Sequence, residues 1–196
     1  MKPSDLPVLT EHARRLLDAM AQCVSAKGYA ATTIADIAAE ARVSKRTFYE
    51  HFDGKAQCLI ALYEAASRQA LQVLKSAIDP AQDWHQQAEQ ALRAYFACMA
   101  SNPVLMRTLF IEMLALGPEG LAARRRAYRD LAEHILQVVN ADVAKAERLP
   151  ENMAIAIVGG INELVLQAIE EDRVDRLHEL TEPAARLVRA VVDHWR

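Results

Sequence analysis

The side chains best suited to chemistry lie in one stretch, Lys27 to Lys55 (KGYAATTIADIAAEARVSKRTFYEHFDGK). Thr33 followed three residues later by Asp36 has the pattern of a capping box, whose hydroxyl covers an early orphan N–H of a helix. Ile34, Ile37, Ala38 and Ala41 then recur at helical spacing, and the alanines permit close helix approach. Arg42-Val43 makes a tight turn, and Ser44 can cap the next helix. That helix has two faces. Phe48 and Phe52 fall beside Ser44; Arg46, Thr47, Tyr49 and Glu50 fall opposite. The phenylalanines anchor the helix, while the exposed side can enter a DNA major groove, which is wide enough for one.

Other chemistries lack their residues. The six histidines (His12, His51, His85, His134, His178, His194) are scattered, with no His-x-x-x-His pair. There is no Gly-x-Ser-x-Gly elbow, Rossmann glycine pattern or phosphate-binding glycine loop. Cys23, Cys58 and Cys98 are an odd set with no CxxC, which fits small buried thiols in a reducing compartment. No enzyme, metal or cofactor is expected.

Helices must position this segment. Apolar residues make up 52% of 196 and charged ones 25%, enough for a sizeable core. Glycines and prolines interrupt long runs of helix formers, and no convincing strand separates them. The spacing predicts nine helices. The first covers residues 9–27, with Leu9, Ala13, Leu16, Leu17, Met20, Ala21 and Val24 on one stripe and Gly28 as its stop. Two short ones follow, then 55–78, 84–100, 103–116, 119–146, 152–171 and 182–195. No apolar run approaches a membrane span, since the longest, Met153 to Ile161, stops at Asn162-Glu163. The first residues lack the apolar stretch of a secretory signal, so a cytoplasmic protein is expected. Net charge is −3, yet residues 1–55 carry eight Lys/Arg against seven Asp/Glu. A local patch, not the total, governs encounter with phosphates.

The chain resembles the tetracycline-repressor (TetR) family of bacterial transcriptional regulators. The matching residues are Gly28-Tyr29, Thr32-Thr33-Ile34, Ile37-Ala38, Ala41, Val43-Ser44, Thr47-Phe48-Tyr49, His51-Phe52 and Lys55. The resemblance implies an all-α, nine-helix fold. Its domains would be a helix-turn-helix DNA-binding part, residues 1–55, and a ligand-binding and dimerisation part, residues 56–196. It implies phosphate contacts from Thr33, Thr47, Tyr49, His51 and Lys55, and base contacts from Lys45, Arg46 and Tyr49, with Ser44 at the helix start. Hydroxyls and ammonium groups fix register on the backbone. Arg46 can offer a fork to guanine O6 and N7. Other roles stay open: Thr33 caps a helix in any case, His51 can pack inward beside Phe48, and Arg46 and Glu50 can pair in solvent.

For the larger part, the resemblance implies that Met153 to Leu166 is a penultimate helix that joins the last one in a four-helix interface about a two-fold axis. Ile157, Ile161 and Leu164 are the expected contacts on the first, and Leu187, Val188, Val191 and Trp195 on the second. Burial within one chain is the alternative. A ligand pocket is expected at Tyr95, Met99, Met106, Phe110 and Met113, beside Phe96, with polar contacts from Tyr128 and Asn162. The same stripe also serves as ordinary core. Arg124-Arg125-Arg126 and Arg129 can attract an acidic ligand such as an acyl thioester, but a solvated helix face is the better reading.

The resulting expectation is a homodimeric, ligand-responsive regulator of a pseudo-palindromic DNA operator, most simply a repressor released by a small apolar or amphipathic inducer. An activator, a helical enzyme or lipid carrier with a vestigial helix-turn-helix, and a sequence-independent DNA binder are the rivals.

Overall fold

A computed structural model describes residues 10–78, 81–141, 143–144 and 147–195. Leu9 and the expected helix end at residue 146 lie outside the described residues. Among the described residues the regular structure is helical: α1 (Glu11–Ala31), α2 (Ile34–Glu40), α3 (Lys45–His51), α4 (Lys55–Ser76), α5 (Trp84–Ala100), α6 (Pro103–Ala115), α7 (Gly117–Val139), α8 (Glu151–Glu170) and α9 (Thr181–Trp195), with a 3₁₀ segment (Val174–Leu180) before the last. The nine helices expected from the sequence are therefore present among the described residues. The chain divides into two compact units, Met1–Tyr63 and Glu64–Arg196, and the division falls within α4.

In the first unit α1, α2 and α3 pack on one another. Thr10 caps α1 by accepting from Ala13 N–H at 3.1 Å. The helix breaks at Gly28, whose φ of 78° suits a residue without Cβ. Tyr29 to Ala31 add one more turn beyond the expected stop. The anticipated capping box forms: Thr33 Oγ1 accepts from Asp36 N–H at 3.2 Å, and Asp36 Oδ2 accepts from Thr33 N–H at 2.8 Å. The turn from α2 to α3 is a Schellman motif. Val43 N–H donates to Ala38 C=O at 2.9 Å and Arg42 N–H to Ala39 C=O at 3.0 Å. Arg42 occupies the left-handed position with φ 53°. The core is Leu16, Leu17, Met20, Val24, Ile37, Phe48, Phe52, Cys58 and Leu59, all buried.

In the second unit α8 lies against α7 and α9, and α5 packs on α9 and the 3₁₀ segment. Asp83 and Asn102 cap α5 and α6 by accepting backbone N–H bonds near 3 Å. Pro103 sits in the first turn of α6, where its missing N–H costs nothing. Gly120 lets α7 approach α6 closely, since a Cβ there would lie 2.1 Å from Met113 C=O. Asn140 closes the α7–α8 connection by bonding both backbone groups of Leu149, at 3.0 and 2.9 Å.

By length and composition alone, α8 is apolar enough to cross a membrane. Here Ala154, Ile157, Val158, Ile161, Val165, Ala168 and Ile169 are buried against neighbouring helices. The 3₁₀ segment was not anticipated: VDRLHEL is short and charge-rich, with no sustained apolar period.

Candidate functional site

Helix α3 is held from within and bare outside. Phe48 and Phe52 are buried, their ring centres 5.7 Å apart. A side chain of that size contributes about 3–5 kcal/mol when fully buried, so the helix has little freedom to roll. Ser44 caps it, accepting from Thr47 N–H at 3.0 Å, and its hydroxyl meets Thr47 Oγ1 at 2.9 Å. Lys45, Arg46, Tyr49 and Glu50 are exposed. Arg46 is 90% exposed, and its Nε donates to Glu50 Oε1 at 3.3 Å. Such a pair is worth about 0.3–0.5 kcal/mol, whereas a bidentate guanine contact discriminates by about 1–3 kcal/mol. The pair is therefore too weak to hold Arg46 against a contact of that strength. Tyr49, 56% exposed, is an aromatic ring on a polar face.

The remaining expected DNA contacts differ in availability. Thr33 is exposed, but its hydroxyl already donates to Asp36 Oδ2 at 2.6 Å. The Lys27 ammonium, 2.7 Å away, and the Thr33 bonds hold the Asp36 carboxyl well below the usual range. His51 is half-buried, its ring 6.2 Å from that of His12. Lys55, an expected phosphate clamp, has partners within the chain. Its Nζ donates to Tyr29 C=O at 2.8 Å and Thr32 C=O at 2.9 Å, and sits 4.2 Å from the centre of the Tyr29 ring. The carbonyls left over at the end of α1 attract the ammonium, as helix C-termini attract cations. Arg15 was missed. Its guanidinium donates to Ala41 C=O and Arg42 C=O, tying α1 to the turn that aims α3. Only the fold reveals this, because 26 residues separate donor and acceptor.

The second unit holds an apolar cavity of about 80 Å³ among α4, α5, α7, α8 and α9. Tyr95 and Asn162 line it, as expected. Met99 and Met113 are instead buried in the core, and Met106, Phe110 and Tyr128 pack against that core without lining the cavity. The thioethers on α6 fill space between helices, so their flexibility does not reach the void. Trp84, Leu131 and His134 do line it. Ala127, Leu131, His134 and Val138 recur at helical spacing, a stripe that was legible in the sequence.

None of the four arginines on α7 lines the cavity. Arg124 bonds Tyr128 Oη and Arg126 pairs with Glu64 at 2.6 Å, while Arg125 and Arg129 are exposed.

The expected dimer residues divide as well. Ile157, Ile161 and Val188 are buried within the single chain, and the last two line the cavity. On α9 the inward stripe is Ala184, Ala185, Val188 and Val192; Leu187 and Val191 stand beside it, half-buried. Leu164 is half-buried and Trp195 is 42% exposed. Burial pushes the Cys58 thiol up to about 12 and raises those of Cys23 and Cys98, so none is an activated thiolate. Among the described residues no group of three or more His, Cys, Asp or Glu could hold a metal.

Known proteins share this arrangement. Residues 16–62 match the bacterial regulatory proteins of the tetR family. Over nearly the whole chain the fold is that of a regulatory protein TetR from Rhodobacter sphaeroides (26% identity, 89% of this chain and 97% of that one, TM-score 0.66). It is also that of the fatty acid degradation regulator FadR from Bacillus halodurans (20%, 91% and 94%, TM-score 0.72). A third likeness is to FadR from Bacillus subtilis, solved in complex with stearoyl-CoA (18%, 89% and 96%, TM-score 0.74). Residues 16–62, with their capped and anchored third helix, are thus similar to the bacterial regulatory proteins of the tetR family, and the helical fold behind them is similar to that of the regulators above.

Proposed function

We propose that this protein is a ligand-responsive, sequence-specific transcriptional repressor, released from a pseudo-palindromic operator by a small apolar or amphipathic inducer. The observation that carries the reading is α3, rigidly seated on Phe48 and Phe52 with Lys45, Arg46 and Tyr49 bare on its outer side. Arg46, Lys45 and Tyr49 read base edges; Ser44, Thr47, Thr33 and His51 lie where the phosphate backbone passes. Lys55 acts by holding the α1–α2 connection. A cytoplasmic homodimer through α8 and α9 is supported by the half-buried Leu164, Leu187 and Val191 and the exposed Trp195. Its two recognition helices would meet successive major grooves, about 34–36 Å apart.

The apolar cavity in the second unit supports a small inducer. Residues of α4 belong to both units, so this helix is the natural carrier of coupling. An inducer acts by preferring the state that does not bind DNA.

The test is selection of genomic fragments by the purified protein beside Arg46→Ala and Tyr49→Ala variants, with salt varied. The proposal expects a pseudo-palindrome whose preference relaxes in the Arg46 variant by roughly tenfold or more at one base pair. Salt-sensitive binding with no sequence preference would defeat it.

A further inference from the structure

The cavity of the second unit is walled by apolar side chains, among them Leu74, Leu92, Leu131, Val158, Ile161 and Val188, and among the described residues no Lys, Arg, Asp or Glu lines it. A charged head group would therefore lose its hydration without gaining a partner. Two deeply buried polar side chains nonetheless face this apolar space. Asn162, 7% exposed, spends one amide N–H on Val158 C=O at 2.9 Å, which leaves its carbonyl oxygen and second N–H. His134, 8% exposed, has no hydrogen-bond partner at Nε2. A buried nitrogen without a partner is costly and uncommon in a folded protein, and calls for a group that satisfies it.

The chemistry of the ring decides which group. Burial, and secondarily the Lys75 charge, lower the His134 pKa from its ordinary value, so the imidazole is neutral near pH 7. The neutral ring carries one hydrogen; in the Nδ1–H tautomer, Nε2 offers a lone pair.

Resting on the reading that this cavity is the inducer site, we propose that it selects a small, uncharged, apolar molecule bearing one hydroxyl, oriented by O–H donation to His134 Nε2. Asn162, on α8, offers a second acceptor to the same cavity. The ligand class is then the simple alcohols and phenols, and carboxylates and other acids are rejected.

The experiment is calorimetric titration of the full chain, without DNA, with phenol, benzene and benzoate, repeated on His134→Leu and His134→Gln. Phenol is expected to bind about tenfold more tightly than benzene, and benzoate more weakly than either. In His134→Leu the phenol affinity should fall to that of benzene, with benzene binding retained. His134→Gln, which keeps an acceptor, should retain part of the preference. Equal affinities for phenol and benzene, a hydroxyl preference that survives in His134→Leu, benzoate binding as tightly as phenol, or no binding of any probe at 1 mM would each overturn the proposal. Because DNA is absent, the two readings fail separately. Phenol binding that leaves operator affinity unchanged defeats the regulatory reading alone. Operator release by benzene as readily as by phenol defeats the hydroxyl assignment alone.

Discussion

Replacing Lys55 with methionine keeps the side-chain stem and removes the ammonium. The ammonium bonds Tyr29 C=O and Thr32 C=O at 2.8 and 2.9 Å and lies 4.2 Å from the Tyr29 ring centre. Hydrogen bonds from a charged donor contribute about 1.5–3 kcal/mol each, and an exposed cation–π contact about 0.5–1 kcal/mol. Lys55 is only half-buried, however, and the freed carbonyls regain water, so the net loss is well below that sum. A destabilisation of about 1–2 kcal/mol is expected, which lowers Tm by about 2–8 °C for a chain of this size. The assay pairs a thermal melt with the salt dependence of operator affinity. A lysine that neutralises a phosphate contributes about 0.9 to the slope of log K against log salt. As a tie between α1 and α4, Lys55 should leave that slope unchanged in the folded variant. A Tm within about 1 °C of the parent, with the slope reduced by about one, would refute the structural role and restore the phosphate clamp.

Three further outcomes are expected. Arg42→Gly should raise stability by about 0.5–1 kcal/mol in urea unfolding, because φ 53° strains a residue with a Cβ but not glycine. Gly120→Ala should cost about 3 kcal/mol in the same assay, since its Cβ would meet Met113 C=O at 2.1 Å and backbone cannot give way cheaply. His134 titrates lower in the folded chain than in the unfolded one. Its stabilising effect is therefore complete above the unfolded value, about 6.5, and is lost as pH falls below it, because the unfolded chain takes up the proton first. Melts between about pH 7.5 and 5.5 should show a Tm decline that is shallower in His134→Leu; an equal decline in both proteins would remove this histidine as the cause.

Much of the fold was legible because local rules and tertiary packing agree. Thr33 with Asp36, Ser44 before Lys45, and Pro103 behind Asn102 are short-range signals, and each forms the expected helix start. The long helices follow from composition and period. The two faces of α3 were likewise readable, since spacing alone separates Phe48 and Phe52 from Arg46 and Tyr49. Residue type alone does not show which partner a side chain finds where that partner is distant in sequence. Lys55 has the charge of a phosphate clamp, but the carbonyls that engage it lie 23 and 26 residues away.

On α6 and α8, apolar residues lie nearly all round, so no moment indicates which side meets a cavity, a core or a second chain. That is why Met113 proved to be core, and why Ile157 and Ile161 turned inward. The sequence by itself determined the helical order, the caps and the two faces of α3, because these depend on neighbours a few residues apart. The tertiary structure alone decided which helix faces close on one another. It thereby left His134 Nε2 unpaired at an apolar cavity and gave Arg15 and Lys55 to backbone carbonyls, since a charge or lone pair is satisfied by whatever the fold brings within 3 Å, not by what precedes it in the chain.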